Sequence, residues 1–133
     1  DMSKSKPSPP PHHLLAGQHC ENLALRYLQT QGLRLLERNF RCRFGELDLI
    51  MQSDSCVIVV EVRYRRSTHY GGAAATVTRN KQLKIIKSTQ QLLQHRPALN
   101  NLAVRFDVVA ISGLLASPKI SWLKAAFSAD GII

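Results

Sequence analysis

The most regular pattern in the sequence is a pair of apolar segments, Leu47 to Met51 and Cys56 to Val62, separated by the polar residues 52–55. The second segment is rich in β-branched residues, which is typical of a strand. Side chains alternate between the two faces of a strand; one face carries Val57, Val59, Glu61 and Arg63, and the other carries Ile58, Val60 and Val62. Both faces are apolar before Glu61, so the pattern predicts a hairpin whose second strand is central and covered on both sides.

A longer spacing of apolar residues predicts two helices. From about Ala16 to Gln31 they recur every three or four positions, and Gly32 follows where a C-terminal cap is expected. Thr78 is a suitable N-cap for a second helix that reaches about Gln94.

Three further strands complete the prediction. We place them at residues 33–40, 102–111 and 119–123, which gives the order α-β-β-β-α-β-β, and we expect residues 124–133 to be irregular. Residues 1–13 are rich in Pro, Ser and Lys and should form a disordered tail. Residues 14–133 should then form a single domain.

The charge of the chain is strongly one-sided, with 18 Lys and Arg residues against 9 Asp and Glu, a net charge of +9 and a pI near 10.0. This balance favours a polyanionic partner, nucleic acid first and an anionic membrane second, although a basic protein without such a partner is the alternative. No apolar run approaches the roughly 18 residues of a membrane span. Three cysteines without a C-x-x-C pair favour reduced thiols over a zinc site, so we expect a cytoplasmic protein.

Acidic residues mark the candidate site. Glu46 and Asp48 share one face of the first hairpin strand, and the turn brings Asp48 close to Glu61 on the second. Converging carboxylates with a neighbouring cation suit Mg²⁺ or Mn²⁺ and phosphodiester chemistry. A structural network of ion pairs explains the same residues equally well, and whether Arg105 and Asp107 pair with each other or with the site stays open.

Basic residues flank these acids on either side along the chain. Six of them are candidates for phosphate contacts: Arg41, Arg43, Arg65, Arg66, Lys81 and Lys84. Simple solvation of a charged surface is the alternative.

The order of these motifs resembles a known family. Residues 45–50 read G-E-L-D-L-I, residues 60–63 read V-E-V-R, Gly71-Gly72 and a Lys81-bearing helix follow, and residues 105–110 read R-F-D-V-V-A. Residues 17–111 thus resemble the YraN family of bacterial proteins, within the PD-(D/E)XK nuclease superfamily. The resemblance implies an α/β, restriction-endonuclease-like (tRNA-endonuclease-like) fold with a mixed sheet flanked by helices, similar to Holliday-junction resolvases.

The resemblance also implies roles for individual residues. Glu21, Asp48, Glu61 and Arg63 fall on the catalytic positions, with Asp48, Glu61 and also Glu46 as ligands for Mg²⁺ or Mn²⁺. The superfamily has lysine where this chain has Arg63. Arginine stays protonated. Arg63 should therefore stabilise negative charge but accept a proton poorly, and we expect normal binding with slow cleavage.

Three functions are compatible with the sequence. The first is a metal-dependent endonuclease that acts on DNA, with branched or structured DNA as a candidate substrate. The second is a nucleic-acid-binding module on a nuclease scaffold with little turnover, and the third is a protein-interaction domain with a basic surface. Analogy with junction resolvases would suggest a homodimer.

Overall fold

A computed structural model of the chain describes residues 12–66 and 77–130, with side chains from residue 17 onward. The described helices are α1 (His12–Thr30) and α2 (Arg79–His95), and a short 3₁₀ turn follows at Pro97–Leu99. The strands are β1 (Arg34–Cys42), β2 (Gly45–Ser53), β3 (Cys56–Arg65), β4 (Ala103–Ser112) and β5 (Lys119–Phe127). The predicted order α-β-β-β-α-β-β is confirmed.

The strands form one sheet in the order β1-β2-β3-β4-β5, so that β3 is central as predicted. β3 and β4 run parallel, whereas the other neighbouring pairs are antiparallel. Parallel neighbours need a long crossover, and the chain between β3 and β4 contains α2. The sheet is therefore mixed and flanked by helices, as the restriction-endonuclease-like fold requires.

The two faces of β3 pack against different helices. Val57 and Val59 join a buried cluster with Ile85 and Ile86 of α2. Ile58 and Val60 lie in a second cluster that contains residues of α1, including Ala24 and Leu28. The alternation predicted for β3 is confirmed, and it gives the domain one apolar layer on each face of the sheet.

Local signals at the helix ends are also confirmed. The Thr78 side chain accepts a hydrogen bond from the Lys81 backbone N–H at 3.1 Å and so caps α2. Gly32 follows α1 with φ +95°, a conformation that glycine adopts without strain. α1 begins at His12, earlier than the predicted start near Ala16.

The prediction of an irregular C-terminal stretch was wrong for residues 124–127. β5 continues to Phe127, whose ring stacks on that of Phe106 with centroids 5.1 Å apart. Ala125 takes a left-handed φ of 51°, and the β4–β5 register shifts between Phe106 and Val108. The strand extends because this bulge still directs Phe127 onto the apolar side of β4, a packing contact that the Ala/Ser-rich composition does not reveal.

Asp107 holds this part of the sheet together. It is fully buried and pairs with Arg105, which donates two hydrogen bonds of 2.8 Å to its carboxylate. Trp122 Nε1 and the Ala125 backbone N–H donate two more, at 2.8 and 2.9 Å. The open question about Arg105 and Asp107 is thereby answered: they pair with each other, and Asp107 is a structural residue.

Two sequence predictions lie wholly or mostly outside the described residues: the tail at 1–13, of which only the last two residues are described, and the Gly71-Gly72 loop. Within the described part of the chain, neither helix is apolar over a length that would cross a bilayer.

Candidate metal and nucleic-acid site

Four carboxylates from three elements meet at one end of the sheet. β2 and β3 are antiparallel, so the beginning of β2, with Glu46 and Asp48, lies beside the end of β3, with Glu61. Glu21 approaches from α1 and places a carboxylate oxygen within 4.8 Å of oxygens of Glu46 and Asp48. These acids were predicted to converge, and the structure brings them together.

The sheet is irregular at Asp48. β1 pairs with β2 through Arg38↔Leu49 and Phe40↔Leu47, and between them Asn39 has a left-handed φ of 57°. The Asp48 Oδ2 atom accepts a hydrogen bond of 2.9 Å from the Val62 backbone N–H, a group on the neighbouring strand β3. A non-glycine residue with positive φ inside a strand is strained, and such strain is concentrated at functional sites. On the other side of β2, the pairing with β3 ends at Leu49↔Val60, so the Asp48 carboxylate rather than a backbone carbonyl accepts from the Val62 N–H.

Three of the acids form a compact set of candidate metal ligands, the ligand triad. Each of Glu21, Glu46 and Asp48 offers a carboxylate oxygen, and these atoms lie within 4.8 Å of one another. Glu61 is 6% exposed and lies outside this triad, although it is near enough to Asp48 to share a hydrogen bond. Asp48 is therefore the residue common to both groups of carboxylates.

The pKa values of Asp48 and Glu21 reflect the burial of these acids and their closeness to other carboxylates. Burial and, secondly, the Glu61 carboxylate raise the pKa of Asp48 from its ordinary 3.8 to about 7, while the Val62 N–H and Lys81 oppose the rise. Burial and then the Asp48 charge raise the pKa of Glu21, and Arg38 partly offsets them. The ionised forms of Asp48 and Glu21 are therefore costly at these positions, chiefly because the two carboxyl groups are buried.

Two cations flank Glu61. Lys81 Nζ, from the first turn of α2, lies 3.6 Å from Glu61 Oε2, and Arg63 Nη1 lies 3.7 Å from the same oxygen. Lys81 was predicted to contact phosphate; the structure places its ammonium beside Glu61, the acid within the V-E-V-R motif. Lys81 thus reaches the site from α2, while Arg63 occupies the corresponding position on β3.

Two further arginines pair with the remaining acids. Arg38 Nε lies 3.4 Å from Glu21 Oε1, and Arg41 Nε lies 2.5 Å from Glu46 Oε2. The second pair is largely exposed, with 79% of the Arg41 side chain accessible. Arg41, predicted to contact phosphate, is thus a direct neighbour of the ligand triad.

The donor set fits a hard divalent cation. Carboxylate oxygens are the ligands that Mg²⁺ and Mn²⁺ prefer, and the triad presents one from each of three residues within 4.8 Å. Burial, and secondly the Glu61 carboxylate, raise the pKa of Asp48 and so make its ionised form costly, and a bound cation would offset that cost. Glu21 thus joins the predicted ligands Asp48 and Glu46 as a candidate, and the assignment of Glu61 as a principal ligand stays a prediction.

A basic surface borders the acids. Arg43 Cζ lies 4.7 Å from the centroid of the Phe44 ring, and Lys87 Nζ lies 5.8 Å from the same ring. Arg65, Arg66 and Lys84 are exposed, as phosphate contacts require. Aromatic and cationic side chains together suit nucleic-acid binding, so Phe44 and Lys87 are further candidates beside the predicted residues.

A polar stripe on α1, which was not predicted, also faces this site. Gln18 and Asn22 line a cleft with Glu21, Arg38 and Asn39. Gln18, Glu21 and Asn22 follow helical spacing of three and four. That spacing was a readable signal that the acid belongs to a polar face.

The residues of the candidate site lie in a part of the chain that matches a known protein family. A sequence profile described as "Uncharacterised protein family UPF0102" matches residues 20–111, which include all four acids. A UPF0102 protein of Pseudomonas syringae pv. syringae is 48% identical over 84% of this chain and 92% of its own length. That of Alkalilimnicola ehrlichii is 43% identical over 98% of this chain and 100% of its own. The resemblance to the YraN family is thereby confirmed, and the chain belongs to the UPF0102 family.

Proposed function

We propose that this protein is an endonuclease that cleaves DNA in the presence of Mg²⁺ or Mn²⁺, with branched or structured DNA among its candidate substrates. The proposal rests on one observation above all: Glu21, Glu46 and Asp48 place carboxylate oxygens within 4.8 Å of one another, at a sheet end that is bordered by cations. A net charge of +9 adds a long-range attraction for the polyanion.

The ligand triad would hold the metal, with Asp48 as its centre. When bound, the ion would neutralise charge on the phosphate and lower the pKa of water. Asp48 is held in place by the Val62 N–H, which donates to its Oδ2 atom at 2.9 Å. Removing any member of the triad should therefore weaken metal binding, with the largest loss at Asp48.

Lys81 and Arg63 act on the other side, at Glu61. Both lie within 4 Å of the same Glu61 oxygen, at 3.6 and 3.7 Å, so they fix this buried carboxylate and bring positive charge toward the reacting phosphate. Fixed cations that face developing negative charge are usually the largest contribution to catalysis. Lysine can also exchange a proton, whereas arginine cannot.

The direct experiment is a cleavage screen. Duplex, single-stranded, flapped and four-way-junction DNA, together with RNA, would be incubated with the protein in Mg²⁺, Mn²⁺ or EDTA. The proposal predicts cation-dependent cleavage of at least one DNA substrate and none by Asp48→Ala. Cleavage by Asp48→Ala at the parent rate would indicate a contaminating nuclease, and binding without cleavage by the parent would disprove catalysis.

One observation favours a second function, a nucleic-acid-binding module without turnover. Arg63 occupies the strand position where the superfamily has lysine, and it lies 3.7 Å from Glu61. If Lys81 cannot replace that lysine, the protein would bind DNA and metal but leave the backbone intact. The same screen separates the two functions, since both predict binding and only the first predicts product.

A further inference from the structure

A cleft of about 660 Å³ opens beside the ligand triad, between α1 and β1. Carboxamides of Gln18, Asn22 and Asn39 line it, together with the guanidinium groups of Arg38 and Arg41. Glu21 and Glu46 also line the cleft. Two acids that would hold a cation and two arginines that suit an anion therefore share one space.

Each of these arginines is paired with one acid of the triad. Arg38 engages Glu21 at 3.4 Å, and Arg41 engages Glu46 at 2.5 Å. A guanidinium and a divalent cation compete for the same carboxylate charge. Because the Arg41–Glu46 pair is exposed, with 79% and 36% of the two side chains accessible, its net stabilisation is small and its exchange is easy.

We propose that Arg38 and Arg41 are exchangeable counter-ions. A divalent cation held by Glu21, Glu46 and Asp48 displaces both guanidinium groups, and these then bind a phosphodiester of a DNA strand that lies in the cleft. The cleft is within the size range of ligand sites, and its carboxamides offer both donors and acceptors for sugar and base edges. The inference rests on the proposed function and names how metal and nucleic acid reach the same site.

Because of this exchange, removing the charge of Arg41 should have opposite effects on metal affinity and on DNA affinity. In the protein without DNA, Arg41 competes with the cation, so removing its charge should strengthen metal binding. In the protein with metal, Arg41 binds phosphate, so removing it should weaken DNA binding. Metal and DNA must therefore bind cooperatively, and the coupling is reciprocal by thermodynamic necessity.

The first measurement is calorimetric titration of Mn²⁺ into the parent, Arg41→Gln and Arg34→Gln. Arg34 is the matched control because it is an exposed arginine on the same strand, and its substitution removes the same charge. We expect Arg41→Gln to bind Mn²⁺ roughly 3- to 10-fold more tightly than the parent, and Arg34→Gln to bind like the parent. An Arg41→Gln variant with weaker or unchanged Mn²⁺ affinity would overturn the exchange.

The second measurement is fluorescence anisotropy with a labelled four-way junction and a duplex, in Mn²⁺ and in EDTA, with intact DNA verified on a denaturing gel. In the parent, Mn²⁺ should raise DNA affinity about tenfold or more, a coupling typical of linked sites. Arg41→Gln, and more so Arg38→Gln/Arg41→Gln, should lose most of this gain, while Arg34→Gln should keep it. A full gain in the double variant would refute the inference.

The two proposals fail in different ways. A parent protein that binds no Mn²⁺, or no DNA in either condition, disproves the proposed function and this inference together. A parent that binds both ligands, with equal DNA affinity in Mn²⁺ and EDTA, disproves only the exchange of Arg38 and Arg41.

Discussion

Replacement of Asp48 by asparagine should stabilise the metal-free protein at pH 8 and remove its response to divalent cations. Asp48 carries the charge that the site accommodates least well, because burial and Glu61 raise its pKa to about 7. Asparagine has nearly the same shape, and its Oδ1 can still accept the hydrogen bond from the Val62 N–H. The substitution therefore removes charge while keeping the local contact.

The direction and the size of this change in stability follow from the pKa of Asp48. A carboxyl whose folded-state pKa is raised stabilises the fold fully below its unfolded value, 3.8, and loses that contribution as the pH rises through about 7. One pKa unit corresponds to about 1.4 kcal/mol, so the upper limit is about 4 kcal/mol. Because Asp48 is half-buried and interacts with Glu61, solvent screening and shared protonation reduce this to about 2 kcal/mol. For a domain of this size, that amounts to roughly 6 °C in Tm.

Circular dichroism melts in EDTA at pH 5 and pH 8 measure the effect. We expect the parent and Asp48→Asn to differ by roughly 6 °C at pH 8. The gap should narrow at pH 5, where Asp48 is protonated in the folded parent and part of its contribution has returned, and it should close fully only near or below pH 3.8. Addition of Mn²⁺ at pH 8 should raise the Tm of the parent, because the ion binds only the folded state, and should leave Asp48→Asn unchanged.

Asp54→Asn is the matched control, since Asp54 is an exposed acid in the turn of the same hairpin. Its melts should follow those of the parent at both pH values and in Mn²⁺. The reasoning is refuted if Asp48→Asn is less stable than the parent at pH 8, or if the difference in Tm is the same at pH 5 and pH 8.

Three further results are expected. Asp107→Asn should lower the free energy of unfolding by about 3 kcal/mol in a urea titration, because it breaks a buried network that includes Arg105, and should leave Mn²⁺ affinity at the parent value. In single-turnover cleavage assays, Lys81→Met and Arg63→Ala should each reduce the rate by an order of magnitude or more, and Arg63→Lys should keep or raise it; equal rates for Arg63→Ala and the parent would assign Arg63 a structural role. DNA affinity should fall steeply with salt between roughly 50 and 200 mM and vary little with base sequence, so that binding indifferent to salt would exclude phosphate contacts as its main source.

Much of the fold could be read from local pattern. The alternation in β3, the cap at Thr78 and the glycine after α1 are properties of short segments, and each is confirmed. The extension of β5 to Phe127 could not be read in this way, because it depends on the Phe106 ring of another strand. Composition describes a segment, whereas a packing partner is a property of the fold.

The same distinction between local pattern and tertiary packing applies to the residues of the candidate site. Spacing across a predicted hairpin was enough to bring Asp48 beside Glu61, since register follows from the turn. The position of Lys81 depends on how α2 crosses the sheet, and the pairing of Arg38 with Glu21 depends on how α1 packs on β1. No local pattern carries that information.

By itself, then, the sequence determined the order of the elements, the apolar faces of the central strand and the acids that converge on its end. Only the tertiary structure decided that Glu21, Glu46 and Asp48 bring carboxylate oxygens within 4.8 Å of one another, that Asp107 is a buried structural residue, and that Lys81 lies beside Glu61. The physical reason is the distance along the chain over which each effect acts. Periodicity, capping and turns act over a few residues, whereas the charge felt by a buried carboxylate depends on every element that packs around it.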